Sequence, residues 1–365
     1  MKALRALGCL ALAGALACGG NRGAFDLALA SGERAQTAGR YDEAIARYDE
    51  AAKAAKSPRD RAHAEYLAAM IRLEHGRAAE GAAELERIAK ATPPGEHSAE
   101  AAFHLARVHT EQNVPEGWAE MEAVAATFPD NGVGRVALMK VLAHDDEAGP
   151  AATLEHVARM QKGPLGKGDL AQTLAYAAAV RTERLGKLED ARAQYLAVAE
   201  RWPYPFGRLF DDALWRASEL DEKLGHADRA IDDLERMLAV RESAHLMGTY
   251  ERPRFQPALM RIATLWRDAL KDRARAKAAY RRAWNELGAA SPLRDDAAWA
   301  EAELDFADGD ADAACSRLRA LVSDVPDSRY VPCAVDRCKV ERPAKSKAPK
   351  ECRGYIERRG KNTDE

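Results

Sequence analysis

The sequence contains few aromatic residues and no long strand-like pattern. Aromatic residues make up 6% of its 365 residues, alternating runs of Val, Ile and Thr are absent, and alanine is abundant. β-Strands favour β-branched and aromatic residues, whereas alanine has the highest helix propensity. The composition therefore predicts an all-α protein.

An excess of charge of one sign is also lacking. The chain carries 55 Lys and Arg residues against 58 Asp and Glu residues, a formal net charge of -3. Nucleic-acid-binding proteins usually carry a clear positive excess, so we expect no nucleic-acid partner. At 365 residues the chain exceeds the usual size of one core, which leaves two domains or a repeat array that grows in one direction.

Motifs for catalysis and cofactor binding are missing as well. The nine histidines are scattered, and His104 and His109 lie about 140° apart around one predicted helix. The glycine-rich stretch 163–168 lacks the Gly-Lys-Ser/Thr ending of a phosphate-binding loop. No nucleophile elbow occurs in the sequence. We therefore predict a protein that is not an enzyme and that needs no cofactor.

One acidic cluster imitates a metal site. Asp308, Asp310 and Asp312 have the spacing of a calcium loop. The glycine that such a loop requires is replaced by Ala313, and its closing glutamate is replaced by Arg319. We expect these acids to lie at a helix start, where negative charge is stabilised without a metal.

The N-terminus has the pattern of an export signal. Lys2 and Arg5 precede an apolar run over residues 6–17 that is too short to span a membrane. Residues 15–20 have the sequence ALACGG, which resembles a bacterial lipoprotein signal. The resemblance implies that Cys18 is lipidated and becomes the mature N-terminus. An ordinary secretory signal that is cut just before this cysteine is the alternative.

The same resemblance indicates a location. Gly19, rather than an aspartate, follows the cysteine, and this implies the periplasmic side of the outer membrane. Several acyl chains on Cys18 would anchor the protein firmly, because each buried CH₂ contributes about 0.8 kcal/mol and one chain alone is marginal. Cys9 lies inside the apolar run and leaves too little of it upstream to be the lipidation site.

A helical pattern recurs along the rest of the chain. After the turn residue Gly186, a predicted helix places Ala191, Tyr195 and Val198 on one face and stops at Pro203. Self-similarity of this kind indicates a repeat array. Four further copies of the three-residue pattern are Ala44, Tyr48 and Ala51; Ala230, Leu234 and Met237; Ala276, Tyr280 and Ala283; and Ala314, Leu318 and Leu321.

These hairpins resemble the tetratricopeptide repeat (TPR) family over most of residues 24–328. The resemblance implies an α-solenoid of about seven antiparallel helix hairpins whose first helices line a surface for proteins or peptides. With the lipoprotein signal, the chain is similar in type to the β-barrel-assembly lipoprotein and the Tol–Pal-associated coordinator. The subset of the family that binds chaperone tails clamps a carboxylate with Lys and Asn. Leu29 and Glu33 hold those positions in the first repeat, so the clamp is absent there.

The predicted organisation has six segments. They are a signal peptide (1–17), a tether (18–23), an N-terminal TPR-like lobe (24–162), a Gly-rich joint (163–168), a C-terminal TPR-like lobe (169–328) and a basic, Cys-containing cap and tail (329–365).

Five residues of the predicted first helices are candidates for a protein-binding groove: Tyr176, Trp215, Arg216, Arg261 and Trp299. Aromatic and arginine side chains are enriched at the centres of interfaces. Core packing is the alternative, because a shift of one residue in the helix alignment would turn Trp215 and Trp299 inward.

Four further cysteines lie near the C-terminus: Cys315, Cys333, Cys338 and Cys352. An even number in an exported protein indicates disulfides. Zinc binding is the alternative, because Cys333 and Cys338 have a metal-ligand spacing, although no second such pair exists. Three pairings are open. If a helix over residues 330–341 folds back on the helix before it, Cys338 lies opposite Cys315, so we expect Cys315–Cys338 and Cys333–Cys352.

The C-terminal tail is basic. Residues 337–361 hold ten Lys and Arg residues against three Glu residues, and the stretch 343–350 has no apolar periodicity. We expect a flexible loop over that stretch. The tail could contact an anionic lipid surface or an acidic protein, and a purely solvated segment is the alternative.

Together these features predict a membrane-anchored periplasmic TPR scaffold that mediates protein–protein interaction in a cell-envelope complex. Its expected partners are envelope proteins or peptides, and the membrane through Cys18. A peptidoglycan-associated or peptide-binding accessory protein is the alternative. A truncated relative of lytic enzymes that keeps only the helical domain is a third.

Overall fold

The computed structural model describes residues 23–240, 252–288 and 291–352, and within them every regular element is helical. The chain divides into two compact units, Met1–Leu174 and Ala175–Glu365, called here the N-terminal and C-terminal units. The predicted signal peptide, Cys18 and most of the tether lie outside the described residues. The helices are α1 (Ala24–Thr37), α2 (Tyr41–Ala54), α3 (Pro58–Glu74), α4 (Ala78–Ala89), α5 (Ser98–Glu111), α6 (Gly117–Thr127), α7 (Gly132–Asp145), α8 (Pro150–Lys162), α9 (Ala171–Arg184), α10 (Leu188–Arg201), α11 (Phe210–Lys223), α12 (Ala227–Leu238), α13 (Phe255–Thr264), α14 (Arg273–Glu286), α15 (Arg294–Ala307), α16 (Ala311–Asp324) and α17 (Val331–Cys338).

Helices α1 to α16 form consecutive pairs, which confirms the predicted all-α class of TPR-like helix hairpins. There are eight pairs in the described residues, against the prediction of about seven. The additional pair is α7 and α8, where the sequence pattern is least regular and a short 3₁₀ turn, Asp146–Ala148, intervenes. A π-helical turn, Leu265–Ala269, extends α13.

Glycine at the turn between paired helices has a backbone reason. Gly186 and Gly225 adopt φ values of 75° and 81°, a left-handed conformation that strains other residues. The amide that follows each glycine donates back into the first helix, as from His226 N to Asp221 O at 2.8 Å. The glycines therefore end the first helix and reverse the chain.

The recurrent three-residue pattern forms the packing face of the second helices. Ala191, Tyr195 and Val198 are at most 1% exposed, and the residues of the other four copies are equally buried. In α4 the alanine position is held by Gly81, where an added Cβ would lie 2.3 Å from the backbone nitrogen of Leu73. Small residues are needed there because the paired helices nearly touch.

The buried tyrosines of this pattern bond back to the first helix of their own pair. The Tyr48 hydroxyl donates to Gln36 Oε1 at 2.8 Å, and the Tyr195 hydroxyl donates to Glu183 Oε2 at 3.1 Å. A buried phenol needs such a partner because an unpaired hydroxyl costs free energy. The pattern therefore fixes both the apolar packing and one polar contact in each of these pairs.

Two connections between hairpins contain proline. Ser57 and Pro58 begin α3. Ser57 Oγ accepts from Asp60 N at 3.0 Å, and Pro58 takes the first helical position, where its missing N–H has no cost. Part of the predicted joint, Pro164–Gly166, forms a 3₁₀ turn, and the division between the units falls after it, within α9.

The C-terminal cap, α17 with residues 339–352, is cross-linked as expected. Both predicted disulfides, Cys315–Cys338 and Cys333–Cys352, are formed. The stretch 343–350 forms no regular element, as expected of a loop, and it contacts the neighbouring residues 326 and 327. Ser346 Oγ donates to Pro326 O at 2.5 Å, Lys347 N donates to Asp327 Oδ1 at 2.6 Å, and Ala348 is buried. These two hydrogen bonds and the buried Ala348 side chain attach the stretch to the rest of the C-terminal unit.

Candidate functional site

Four of the five predicted groove residues belong to one network on α9, α11 and α13. Tyr176, Trp215, Arg216 and Arg261 are all half-buried, so each is in contact with both the protein interior and solvent. Tyr176 and Trp215 also pack against the apolar core of the C-terminal unit. We call these four residues the α9–α11–α13 surface. Its role in binding stays a prediction.

Trp215 is the centre of this surface. The guanidinium carbons of Arg254 and Arg261 lie 5.0 and 4.5 Å from the centroid of its ring. Its indole Nε1 donates to Glu219 Oε1 at 2.7 Å. Cation–π contacts and this hydrogen bond fix the ring in one orientation, as an interface anchor requires.

Ion pairs connect neighbouring first helices around this tryptophan. Arg261 Nε donates to Glu222 Oε1 at 2.5 Å, and Arg254 Nε donates to Asp212 Oδ1 at 2.8 Å. Each of these contacts joins α13 to α11. The charged groups are therefore held by one another, which favours a fixed recognition surface.

Glu183 of α9 accepts hydrogen bonds from two basic side chains of α11. Arg216 Nη2 donates to both of its carboxylate oxygens at 2.8 Å, and Lys223 Nζ donates at 3.2 Å. Although burial opposes it, the charge of Arg216 with the hydrogen bonds from Lys223 lowers the pKa of Glu183. The carboxylate therefore stays ionised and orders both cations.

Tyr176 completes the surface. Its ring lies 5.2 Å from the ring of Tyr195, at an angle of 59°. Burial, helped by the nearby charge of Asp212, raises the pKa of Tyr176 to about 12. The phenol is therefore neutral at physiological pH and can act as a hydrogen-bonding group.

Trp299 makes different contacts from the other four. Its ring stacks on Tyr330, with 4.8 Å between centroids and an interplanar angle of 8°. Arg337, from α17, lies 5.7 Å from the Trp299 centroid. The tryptophan thus helps to seat the C-terminal cap.

A pocket beside Trp215 was missed by sequence reasoning. Its walls come from the loop between α10 and α11 and from the starts of α11 and α13, and it includes Tyr204, Arg252 and Arg254. The sequence WPYPFGR at 202–208 is dense in aromatic residues and proline and could have signalled it. The wall at residues 252–257 follows from chain packing, which this signal does not predict.

The histidine and aspartate residues that were considered as metal ligands make other contacts. His109 Nδ1 lies 2.5 Å from Glu120 Oε2. Asp310 caps α16 by accepting from Ala313 N at 2.9 Å, as expected, and Asp308 pairs with Arg273 at 2.7 Å. Across residues 23–240, 252–288 and 291–352, no group of three His, Cys, Asp or Glu side chains is placed to hold a metal ion. Over the same ranges, no helix has the length and apolarity needed to cross a membrane.

No family model and no curated protein matches the chain. Among the solved structures similar to it, a tetratricopeptide repeat protein from Parabacteroides merdae is 12% identical, with a TM-score of 0.32 over 76% of this chain and 98% of that one. The Cut9–Hcn1 hetero-tetramer of the APC/C is 13% identical, with a TM-score of 0.33 over 86% of this chain and 55% of that one. The TPR domain of P58(IPK) is 14% identical, with a TM-score of 0.25 over 86% of both chains. At these values, the fold assignment rests on the helix packing described above.

Proposed function

We propose that this chain is a non-catalytic helical-repeat scaffold that binds other proteins or peptides in the bacterial cell envelope. A lipid on Cys18 would anchor it to the outer membrane, with its helices in the periplasm. The observation that carries the binding role is Trp215, half-buried between Arg254 and Arg261. Tryptophan and arginine dominate the binding energy of protein interfaces.

The chemistry of the α9–α11–α13 surface supports recognition. Its guanidinium and carboxylate groups pair with each other, as Arg216 does with Glu183 and Arg261 does with Glu222. Groups held in this way are preorganised, which lowers the entropy that is lost when a partner binds. A partner would contact aromatic faces and an ordered set of charges.

Two features support the compartment. The pairs Cys315–Cys338 and Cys333–Cys352 are the kind of bond that persists in oxidising compartments such as the bacterial periplasm. The sequence at residues 15–20 resembles a lipoprotein signal. Both features fit an exported protein.

The test is a crosslinked pull-down from membranes with the intact lipoprotein, a Cys18→Ala form and a Trp215→Ala form. We expect a defined set of envelope proteins that is recovered with the intact protein and lost with either variant. Trp118→Ala is a matched control, because Trp118 is also half-buried and stacks on His144 outside this surface. Circular dichroism confirms that each variant is folded.

The outcomes separate the parts of the proposal. Cys18→Ala protein that remains in the membrane fraction would contradict the anchor. Recovery that is unchanged by Trp215→Ala would contradict the α9–α11–α13 surface. Sedimentation of the purified protein with isolated murein, without a defined protein set, would favour the peptidoglycan-associated alternative.

A further inference from the structure

Two histidines of the N-terminal unit face each other across neighbouring helix pairs. His63 lies on α3, and His97 directly precedes α5. The ring atoms His63 Nδ1 and His97 Nε2 are 3.2 Å apart. The two residues are separated by 34 positions in the sequence, so the packing of successive pairs brings them together. We call them the His63–His97 pair.

The separation of the two nitrogens fits shared ligation of one cation. A distance of 3.2 Å is at the long end of the usual range for a hydrogen bond from an N–H group. Two imidazole nitrogens on a tetrahedral zinc ion, each about 2.0–2.1 Å from the metal, are about 3.3–3.4 Å apart. A cation of this kind therefore fits between the rings with little movement of either ring.

The His97 ring is held in one orientation and is uncharged. It stacks on the Tyr66 ring, with 4.6 Å between centroids and an interplanar angle of 4°. Burial, together with the nearby His63, lowers the pKa of His97. The ring is therefore neutral at physiological pH, which is the form that binds a metal ion. Both histidines are half-buried, so solvent still reaches them.

Glu100 places negative charge beside this pair. Its carboxylate is close enough to His97 and His104 to oppose the lowering of both pKa values. Over residues 23–240, 252–288 and 291–352, Glu100 has no ion-pair partner, and its buried Oε2 accepts no hydrogen bond. The neighbouring Glu96, in contrast, is paired with Arg59 at 2.8 Å. Glu100 lies in the first turn of α5, whose dipole offsets only part of its charge. An uncompensated carboxylate favours a cation close by.

We infer that His63 and His97 bind a first-row divalent cation such as Zn²⁺ through Nδ1 and Nε2. The hydrogen that the two rings share exchanges to the opposite nitrogen of its own ring, which frees both facing nitrogens as ligands. Among the residues that the structure describes, no third His, Cys, Asp or Glu side chain is placed on the same ion, so water completes the coordination. Imidazole suits Zn²⁺, Ni²⁺ and Cu²⁺, whereas Ca²⁺ and Mg²⁺ prefer oxygen ligands. The site does not depend on the proposed function.

The probe is Zn²⁺ alone, titrated into the purified full chain without a polyhistidine tag in isothermal titration calorimetry. We expect a saturable site that Mg²⁺ does not occupy at the same concentrations. His97→Phe keeps a ring that can stack on Tyr66, and His63→Gln keeps a group that can hydrogen-bond to His97. Each variant should weaken Zn²⁺ binding by at least about tenfold, because one of two imidazole ligands is lost.

Two further variants separate the ligands from their surroundings. His226→Ala is the matched control, because His226 is an exposed histidine of the C-terminal unit, and it should change the affinity by less than about twofold. Glu100→Gln removes the uncompensated charge and leaves both imidazoles, so it should weaken Zn²⁺ by about tenfold. Unchanged affinity in Glu100→Gln would contradict the part given to this carboxylate. Circular dichroism checks that each variant keeps its helices.

Amide hydrogen exchange locates the bound ion on the unchanged chain. Zn²⁺ should slow exchange in α3 and in the first turns of α5, and leave α15 and α16 unaffected. Loss of binding in both histidine variants, with protection confined to these helices, supports the inference. Zn²⁺ binding that persists in both variants, or equal binding of Zn²⁺ and Mg²⁺, overturns it. If either variant fails to fold, the exchange result decides, and protection that appears elsewhere in the chain overturns the site.

Discussion

The two units use the same hairpin but differ in what joins one pair to the next. In the C-terminal unit one continuous apolar cluster contains large side chains such as Phe210, Phe255 and Trp284. In the N-terminal unit, residues 25–108 form three small clusters in which alanine predominates. Large side chains bury more apolar area between neighbouring helices than alanines do. We therefore expect the N-terminal pairs to open at lower free energy.

Each unit contains a buried charge with two ion-pair partners, and these two centres have opposite signs. In α3, Arg72 is buried between Asp49 of α2 and Glu84 of α4, at 2.5 and 2.8 Å. In α11, the fully buried Asp221 lies between Arg192 of α10 and Arg229 of α12, at 2.6 and 2.9 Å. Both centres tie the first helix of a pair to the second helices on either side. The two units thus use one geometry with opposite charges.

Removal of one arginine should give the largest difference between the units. Arg192→Ala removes the ion pair of the buried Asp233, although Asp221 keeps its contact with Arg229, and we expect a loss of about 3 kcal/mol in unfolding free energy, the low end for a broken buried pair. Asp49→Ala in the N-terminal unit leaves Arg72 paired with Glu84, so we expect a loss of only about 1 kcal/mol. Urea unfolding measures both, and equal losses would show that the two centres are equivalent.

The disulfides should stabilise only the C-terminal unit. Changing Cys315 and Cys338 to Ser opens a 23-residue loop, and we expect a loss of about 3 kcal/mol. Hydrogen exchange should then become faster in α15 to α17 and stay unchanged in α1 to α4. Faster exchange throughout the chain would mean that the units do not unfold separately.

Acidification should change the stability of the two units in opposite directions. In the C-terminal unit burial raises the pKa of Asp233 to about 6. The folded state therefore holds this proton more tightly than the unfolded state, and that stabilisation is lost as pH rises from about 4 through 6, by about 3 kcal/mol. In the N-terminal unit burial lowers the pKa of His97 and His104, so stability is lost as pH falls through 6.5.

Hydrogen exchange at several pH values, corrected for intrinsic rates, resolves the two units. Asp233→Asn should remove the stabilisation that this carboxyl gives the C-terminal unit between pH 6 and pH 4, keep the contributions of Asp211 and Glu183, and leave the pH dependence of the N-terminal unit unchanged. A common slope in both units would contradict the assignment of these groups.

Removal of a buried tyrosine hydroxyl should have the smallest effect on stability, and the effect should be the same in both units. Tyr48→Phe and Tyr195→Phe each remove one hydroxyl that bonds to the first helix of the pair, and we expect a loss of about 1 kcal/mol in each case. Urea unfolding of the two variants tests this expectation. A much larger loss for Tyr195→Phe would show that its partner Glu183 depends on the phenol as well as on its cations.

Several features followed from the sequence because they depend on local chemistry. Turn glycines such as Gly186, and the small and large residues of the pattern at Ala191 and Tyr195, are set by backbone conformation and helical periodicity. The disulfide pairing followed from one short fold-back between α16 and α17. Helix bounds are harder to derive where one residue can either stop or start a helix, as at Pro58.

The sequence by itself determined that this is an all-α repeat protein with a cross-linked C-terminus, because helix period, turn chemistry and cysteine spacing act over short distances. Only the tertiary structure decided that Trp215 meets Arg254 and Arg261, that Trp299 instead stacks on Tyr330, and that Arg252 lines a pocket. These contacts join side chains from separate helices. Their positions depend on how neighbouring pairs pack, which no local pattern encodes.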